Sequence, residues 1–407
     1  MANILYISYD GMTDALGQSQ VLPYLLGLQK KGHTIHILST EKPSVFSKKE
    51  NQIKKLIHEK IDWHYIFYTK KPPLLSTIKD INALNKKAEQ LHKQIGFDIL
   101  HCRSYISALV GLKMKRKFGT KFLFDMRGFW ADERVDGKIW NIRNPIFSLV
   151  YKYFKKKEVA FLENADVTIS LTHNAKAKIL NFKTIKNNPI DIEVIPCCVD
   201  LDRFDEAKLK KENKSALRSA LGIEENEFVL TYLGSIGTWY MLEEMLDFFK
   251  VLLKHKPNSK FLFVTAESKE YIFSEAAKRK IPKDRFVITK ADYTEVPLYL
   301  SLSNYAVFFI LPVFSKSASS PIKQGEIMSM GVPIICNAGV GDTDYVLNKY
   351  DCGFLVQDFN ESNYEKIISK LDSKIWNKEI IRNAASEFYA LDNGIESYNN
   401  AYKKILQ

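Results

Sequence analysis

Residues 3–40 read "NILYISYDGMTDALGQSQVLPYLLGLQKKGHTIHILST". Residues 3–10 and 33–40 are apolar runs of strand length, and residues 19–32 have apolar side chains at helical spacing and end in Gly32. This order predicts a β-α-β unit, because a crossover helix lets the second strand run parallel to the first.

The same alternation continues in two blocks. The first block has further strand candidates at 97–104, 120–128, 165–172 and 192–200. After a lysine-rich stretch at 201–222, the second block has them at 228–235, 260–266, 286–290, 305–313, 332–336 and 353–356. We therefore predict an α/β protein with two Rossmann-like lobes joined near residue 200 and a helical tail. Such lobes bind ligands at the carboxyl ends of their strands, so we expect a site in a cleft that both lobes face.

Composition limits the class of protein. The 407 residues suffice for two or three domains, and the net charge of +12 fits nucleic acid, an anionic membrane or phosphorylated small molecules, as well as merely solvated lysines. Because no zinc-finger, RNA-recognition or helix-turn-helix signature occurs, we predict no nucleic-acid partner. The N-terminus has no signal-peptide pattern, and the five cysteines have neither CxxC pairing nor zinc spacing. We expect a cytoplasmic protein with reduced thiols, no metal site and no membrane span.

The stretch "SASSPIKQGEIMSMG" at 317–331 predicts a loop and a short helix. Ser320 suits the N-cap and Pro321 the first helical position. Lys323 then lies in the first turn, where a positive charge opposes the helix dipole unless an anion is bound. Glu326 shares its helical face and can accept two adjacent sugar hydroxyls. The residues alone fit either a nucleotide-diphosphate site or an exposed Lys323–Glu326 pair.

The first block carries further polar candidates at strand ends. Asp125, Arg127 and Trp130 follow one strand candidate, and Arg103 ends another. A guanidinium binds two phosphate oxygens at once, so both arginines suit an anionic ligand. A solvated loop with internal ion pairs is the alternative for 124–137, and a surface arginine is the alternative for Arg103.

The loop at 9–20 is long and contains Gly17, which permits a close backbone approach. Asp14 and Gln18 lie in the same loop and are candidates for contact with an acceptor. The loop has no GxGxxG fingerprint, which argues against a dinucleotide cofactor. A plain glycine turn is the alternative.

Residues 138–163 are both aromatic and basic. Trp140, Phe147, Tyr151 and Phe154 accompany a lysine run at 155–157. This composition fits peripheral contact with an anionic membrane, and the helical spacing of the apolar residues also fits an ordinary core helix.

The segment "SSPIKQGEIMSMGVPIIC" (319–336) resembles the donor-binding segment of glycosyltransferase family 4, a family of retaining enzymes with the GT-B fold. Residues 194–204, 232–249 and 381–406 are similar to its interdomain segment, its second-lobe opening and its terminal helices, which cross back to the first lobe. The resemblance covers nearly the whole chain. It implies an N-terminal acceptor-side lobe at 1–200, a nucleotide-sugar lobe at 201–385 and a returning helix at 386–407.

The resemblance also implies roles for the donor-side residues. Glu326 matches the family glutamate that contacts the ribose, whereas the first family glutamate falls on Ala318. The segment is similar to a subgroup with an SPxK...E form, in which Lys323 meets the diphosphate. The loop at 234–239 lacks the Arg and Lys that the family often has there. The remaining donor-binding candidates are Gly17, Gly234, Ser235, Ser319 and Ser320.

The expected activity is transfer of a sugar from a nucleotide-diphosphate sugar to an acceptor hydroxyl, with retention, without a metal, in bacterial surface polysaccharide or glycolipid synthesis. Lys323 and Arg127 are the catalytic candidates, and the base is expected near 288–292. A glycan or lipid-linked acceptor would lie near Asp14, Gln18, Arg103, Asp125 and Trp130, at the inner face of the cell membrane. A nucleotide-sugar epimerase of GT-B architecture and a non-catalytic nucleotide-sugar-binding subunit are the alternatives.

Overall fold

The computed structural model describes residues 1–58, 60–72, 74–186 and 190–407. The chain divides into two compact units. Unit 1 comprises Met1–Pro196 and Leu391–Gln407, and unit 2 comprises Cys197–Ala390. The boundaries therefore lie at 196/197 and 390/391 rather than at the expected 200/201 and 385/386.

The described residues form two parallel sheets. Their strands are β1 (Asn3–Ser8), β2 (Thr34–Glu41), β3 (Ile61–Phe67), β4 (Ile99–Arg103), β5 (Lys121–Asp125), β6 (Val167–Ser170), β7 (Ile192–Val194), β8 (Val229–Leu233), β9 (Lys260–Val264), β10 (Phe286–Thr289), β11 (Tyr305–Phe308), β12 (Ile334–Asn337) and β13 (Gly353–Val356). Unit 1 has the strand order β3-β2-β1-β4-β5-β6-β7, and unit 2 has the order β10-β9-β8-β11-β12-β13. All neighbouring strands pair in parallel.

Parallel strands covered on both faces are almost uniformly apolar, which is why most of them are visible in the sequence. All five residues of β8 are buried. The sequence analysis missed β3, which lies at the sheet edge and whose side chains are mostly only partly buried.

The helices alternate with these strands. They are α1 (Ala15–Gln20), α2 (Leu22–Lys30), α3 (Pro43–Ile57), α4 (Leu75–Ile95), α5 (Ser104–Phe118), α6 (Trp130–Asp136), α7 (Pro145–Asn164), α8 (His173–Leu180), α9 (Lys211–Ala220), α10 (Leu242–His255), α11 (Lys269–Lys278), α12 (Val296–Leu300), α13 (Ile322–Ser329), α14 (Thr343–Tyr350), α15 (Glu361–Ile368), α16 (Lys378–Tyr389) and α17 (Leu391–Leu406). None of the described helices has the length and apolar character that crossing a bilayer requires.

Helix α10 illustrates how the sequence sets these elements. Leu242, Met245, Leu246 and Phe249 recur at helical spacing and are buried in the core of unit 2. Acidic residues occupy its first turn and basic residues its last, as the helix dipole favours. All five cysteines are buried, and none of them is in a disulfide bond.

The strand orders locate the ligand-binding edge within each unit. In unit 1 the order reverses between β1 and β4, and in unit 2 it reverses between β8 and β11. Ligands of open α/β sheets bind at such switch points, beyond the carboxyl ends of the strands. The loops that follow β1, β4, β8 and β11 are therefore the first places to look for a site.

Candidate functional site

The stretch 317–331 leads into α13 without a side-chain cap. A 3-10 segment, Phe314–Ala318, precedes the helix, and Pro321 occupies the cap position. The prediction that Ser320 caps the helix is wrong: Pro321 is at the cap position with no side-chain cap bond, and the Ser320 hydroxyl instead accepts a hydrogen bond from the Cys197 N–H at 3.1 Å. Ser319, which lies between the 3-10 segment and Ser320, has an extended backbone. The first-turn N–H groups of α13 thus have no side-chain acceptor, and such a helix start favours an anion.

Lys323 is buried in the first turn of α13. Its ammonium donates to the Tyr232 hydroxyl at 3.2 Å and lies 3.6 Å from the centroid of the Tyr240 ring. Among the described residues, no carboxylate lies within ion-pair distance of it. Burial lowers the pKa of Lys323 to about 7, and the negative charge of Glu326 only partly opposes this.

Glu326 is also buried, one helical turn after Lys323. Burial raises its pKa to about 7, against the hydrogen bonding of the Tyr293 hydroxyl and the positive charges of Lys323 and Arg203. Arg203 lies 4.8 Å from the centroid of the Tyr293 ring. The alternative of an exposed Lys323–Glu326 surface pair is therefore wrong, since both side chains are enclosed.

The loop after β8 packs onto this lysine. Gly234 has a φ of +107°, and a Cβ at this position would lie 3.2 Å from the Lys323 ammonium. The Tyr232 hydroxyl donates to the carbonyl oxygen of Ser235 at 2.6 Å, so one tyrosine joins Lys323 to the loop. Farther along, the ammonium of Lys316 lies 3.7 Å from the centroid of the Trp239 ring. The geometry thus brings Gly234, Ser235 and Lys323, three of the donor-site candidates, together.

Ala318 stands where the family pattern has its first glutamate, and it is buried at the end of the 3-10 segment. The expected base region, 288–292, spans the end of β10 and leads directly to Tyr293. Lys323 and Glu326 thus form a buried group of two ionisable side chains within unit 2, and the more exposed Tyr293 hydrogen-bonds to Glu326.

Unit 1 contains a second buried charged group, centred on Asp125 at the end of β5. Its Oδ2 accepts a hydrogen bond from the Tyr398 hydroxyl at 3.2 Å and lies 3.5 Å from His101 Nε2. The guanidinium groups of Arg103 and Arg127 lie 4.0 and 3.9 Å from this carboxylate. Burial alone would raise the pKa of Asp125, but the charge of Arg127 and the His101 hydrogen bond outweigh it and lower this pKa. Asp125 therefore stays ionised between the two arginines.

Both arginines are held by unusual backbone turns. Arg127 has a φ of +57° and is followed by Gly128 at +121°, while Ser104, directly after Arg103, has a φ of +65°. A left-handed conformation costs a non-glycine residue about 1 kcal/mol or more, and such residues cluster at functional sites. Arg103 also lies 3.6 Å from the Asp10 carboxylate in the loop after β1.

The sequence analysis missed the carboxylate that shapes the loop at 9–20. Glu41, at the end of β2, is fully buried and accepts hydrogen bonds from the Met12 and Thr13 N–H groups. Gly17 packs so closely on Gly11 that a Cβ would overlap the Gly11 carbonyl oxygen. A polar residue at the end of an apolar strand, "HTIHILSTE", was the available signal.

Three acceptor-side candidates have other partners. Asp14 forms an ion pair with Lys42 at 2.9 Å, and the Gln18 amide donates to the Thr13 carbonyl at 2.9 Å. Trp130 stacks on Tyr105 and packs edge-on against Phe154 of α7.

Three of the aromatic candidates for membrane contact pack against other parts of unit 1, as the alternative of an ordinary core helix expects. Phe154 is buried, Trp140 packs edge-on against Trp130, and the Tyr151 hydroxyl donates to Asp132. The exposed apolar side chains of 138–163 are instead Ile139, Ile142, Ile146, Leu149 and Tyr153.

His101, Tyr398 and Tyr402 were not predicted as site residues. The Tyr402 hydroxyl lies 2.7 Å from His101 Nδ1, so a neutral His101 can accept from Tyr402 and donate toward Asp125. Tyr398 and Tyr402 are four residues apart on α17, and this spacing was the signal that both face the same way. Among the described residues, no group of three or more His, Cys, Asp or Glu side chains is arranged to hold a metal ion.

Comparison with known proteins gives two family matches that together span most of the chain. Glycosyltransferase Family 4 matches residues 20–203, and Glycosyl transferases group 1 matches residues 213–387. A curated relative, alpha-monoglucosyldiacylglycerol synthase of Streptococcus pneumoniae, is 25% identical over 321 residues. The match covers 76% of this chain and 65% of the relative, so the chain spans just under two thirds of that protein's length.

Solved structures are similar over the whole chain. Sucrose-phosphate synthase from Thermosynechococcus elongatus has a TM-score of 0.76 and 15% identity, covering 100% of this chain and 99% of that chain. Anabaena HepE in complex with UDP-glucose has a TM-score of 0.71 and 13% identity, covering 99% and 100%. At this identity the likeness shows the fold, which is GT-B as predicted. The chain belongs to glycosyltransferase family 4.

Proposed function

We propose that the chain transfers a sugar from a nucleotide-diphosphate sugar to an acceptor hydroxyl with retention of configuration. The observation that carries the proposal is Lys323, a buried ammonium at an uncapped helix start with no carboxylate within 4 Å among the described residues. Removing a charge from water without a partner is costly, so such a group fits a site that receives an anion. Retention rests on family membership.

Unit 2 holds the donor in this proposal. The diphosphate binds at the start of α13, against Ser319, Ser320 and the ammonium of Lys323. The ribose lies on Glu326, and the base lies near 288–292. In support, Lys323 and Glu326 share one face of α13, and one structural neighbour, HepE, is known in complex with UDP-glucose.

Catalysis then rests on positioning and on charge stabilisation of the leaving diphosphate. Lys323 donates to the diphosphate oxygens as their charge grows. In the same proposal, Arg127 of unit 1 is the second catalytic residue and Arg103 is an acceptor-side residue. The proposal includes no metal cofactor, so activity is expected to persist in a chelator.

The acceptor in this proposal is a glycan or a lipid-linked molecule, handled by unit 1 during bacterial surface polysaccharide or glycolipid synthesis. The name of the curated relative, a glycolipid synthase, supports this class. Peripheral contact of 138–163 with the inner face of the cell membrane belongs to the same proposal.

A non-catalytic nucleotide-sugar-binding subunit is the second candidate. It is favoured by Ala318, which lacks the carboxylate of the family pattern, and by the loop at 234–239, which contains no cation.

The test is a panel of UDP-, GDP- and ADP-sugars with glycan and lipid acceptors, read as release of free nucleotide diphosphate. Transfer is expected with one donor, and Lys323→Ala is expected to raise its dissociation constant about tenfold or more. The control is Lys250→Ala, an exposed lysine on α10.

Donor binding without release for any acceptor would favour the binding subunit. A donor converted to its stereoisomer without transfer would favour an epimerase. Unchanged donor affinity in Lys323→Ala would overturn the donor site at α13.

A further inference from the structure

A large groove lies on unit 1 between α4, α5 and α7, with a volume of about 1220 Å³. Its walls include Leu75 and Ile78 of α4 and Ile146 and Leu149 of α7. These four side chains are 54–70% exposed. A contiguous exposed apolar surface of this kind marks an interaction site.

Helix α7 has apolar side chains both in the core and in the groove. Phe161 and Leu162 are buried in unit 1, whereas Ile146 and Leu149 are exposed and line the groove together with the buried Phe154. An ordinary surface helix turns a polar face outward. The exposed apolar side chains Ile146 and Leu149 are therefore available for a contact outside the fold of unit 1.

Of the described residues that line the groove, every charged one is cationic. They are Lys113, Arg116, Lys117 and Lys157. Lys113 and Lys117 share one carboxylate, that of Glu89, at 3.2 and 2.5 Å.

We call the four cationic side chains the rim of the groove. Arg116 and Lys157 are the two rim residues that remain available to an anionic ligand. Among the described residues, Arg116 and Lys157 have no carboxylate within ion-pair distance, and Lys157 lies 5.5 Å from the centroid of the Tyr153 ring. An apolar floor with such a rim is complementary to a molecule that has a hydrocarbon tail and an anionic head.

We propose that this groove binds an anionic membrane lipid. The hydrocarbon tail lies along the apolar walls formed by α4 and α7, and the phosphate of the head group lies against Arg116 and Lys157. This inference builds on the membrane contact in the proposed function, and its test needs no sugar transfer.

Three observations favour a lipid over other occupants. The groove exceeds the ~300–1,000 Å³ typical of small-ligand pockets, which suits a long tail better than a sugar. In a symmetric dimer through this face, the two cationic rims would meet each other. The segment leading into α7 exposes Ile139 and Ile142 beside Lys138 and Arg143, as an interfacial segment on an anionic leaflet does.

The test is flotation with phosphatidylcholine vesicles, with and without about 30 mol% phosphatidylglycerol, in the absence of any donor. Leu149→Glu and Ile78→Glu are expected to weaken binding at least about tenfold, because each puts a carboxylate among hydrocarbon. The control is Leu180→Glu, an exposed leucine at the end of α8, which is expected to bind as wild type. Equal loss in all three variants, or in none, overturns the proposal.

The rim is tested separately. The double variant Arg116→Gln/Lys157→Gln is expected to bind anionic vesicles about tenfold more weakly and neutral vesicles unchanged. The double variant Lys30→Gln/Lys48→Gln removes the same charge from exposed positions elsewhere on unit 1 and is expected to bind as wild type. If both double variants weakened vesicle binding equally, net charge alone would explain the binding, and the proposed role of the groove would be overturned.

Tail insertion is read with a phosphatidylglycerol that carries a photoactivatable group in its acyl chain. Cross-links are expected in 75–85, 109–117 and 146–157, and cross-links confined to other segments overturn the proposal. The chain could instead dimerise without lipid and fail to bind vesicles. If Leu149→Glu abolished that dimer, the occupant of the groove would be a second copy of the chain, which would also overturn the proposal. Lys323→Ala is expected to float like wild type, so failure of the donor site and failure of the groove are distinguishable.

Discussion

Lys323 and Glu326 lie one turn apart on α13, both buried, and no ion pair joins them. Burial moves the two pKa values toward each other, to about 7 for each group. Near neutral pH, small changes around these side chains therefore change their charge. A diphosphate would favour the ammonium form of Lys323, and ribose hydroxyls would favour the carboxylate form of Glu326.

Nucleotide binding is therefore predicted to take up protons above about pH 7 and to release protons below it. At about pH 8 Lys323 is mostly neutral in the free protein, so binding takes up as much as about one proton. At about pH 6 Glu326 is mostly protonated, so binding releases as much as about one proton. Calorimetry of nucleotide binding in buffers of different ionisation enthalpy measures both.

Two variants separate these protons. Lys323→Met should abolish the uptake at the higher pH, and Glu326→Gln should abolish the release at the lower pH. Proton exchange of the same sign at both values would contradict the roles given to the two side chains.

Without ligand, Lys323 is predicted to destabilise the fold in a pH-dependent way. Its pKa is about 7 in the folded chain and near its ordinary 10.5 when unfolded. The cost of the buried ammonium is thus present in full below about pH 7 and disappears as the pH rises through the unfolded value. Lys323→Met should raise the melting temperature by at least about 4 °C at about pH 6.5 and by less at about pH 9.5. Lys250→Met is the control, and an equal gain at both pH values would refute the linkage.

Gly234→Ala is predicted to impair donor binding beyond its effect on stability. Both Gly234 and Gly222 have a positive φ, so alanine strains the backbone at either position. Only at Gly234 would the new Cβ approach the Lys323 ammonium, whereas nothing lies within 4 Å at Gly222. Both variants should lose about 1 kcal/mol of unfolding free energy, and only Gly234→Ala should weaken nucleotide affinity. Equal affinities would show that the contact has no role.

Tyr398→Phe is predicted to destabilise unit 1. It removes a hydroxyl that donates to the buried, ionised Asp125. Loss of a partner by a buried charged acceptor costs about 1–3 kcal/mol. Urea unfolding should detect this loss, whereas Tyr153→Phe, at an exposed ring, should leave stability unchanged. Similar stabilities for the two variants would mean that Asp125 does not depend on this bond.

The sequence predicted the two-lobe α/β fold well because apolar runs and helical periodicity are local properties. It also predicted that Lys323 and Glu326 share a face, since helical spacing fixes that relation. It did not predict the rings of Tyr232 and Tyr240 around Lys323, because these come from a different strand and loop.

Local rules failed where distant groups compete. Ser320 is of a residue type that often caps helices, yet its hydroxyl accepts a hydrogen bond from the N–H of Cys197, 123 residues earlier in the chain. The partner of His101 is Tyr402, which lies 301 residues later. No short-range pattern contains either relation.

The composition of unit 1 from two separated pieces of chain has a consequence for biosynthesis. A polypeptide is made from its N-terminus, and domains generally fold as units as they emerge. Unit 2 is continuous and is complete once Ala390 has been made. The first piece of unit 1 is synthesised before unit 2, but Tyr398 and Tyr402 belong to α17, which is synthesised after unit 2. Asp125 and His101 therefore have no tyrosine partners until all of unit 2 has been made. Unit 1 is thus the first unit to be started and the last to be completed. If translation stops before α17, the Asp125 carboxylate lacks the Tyr398 hydroxyl.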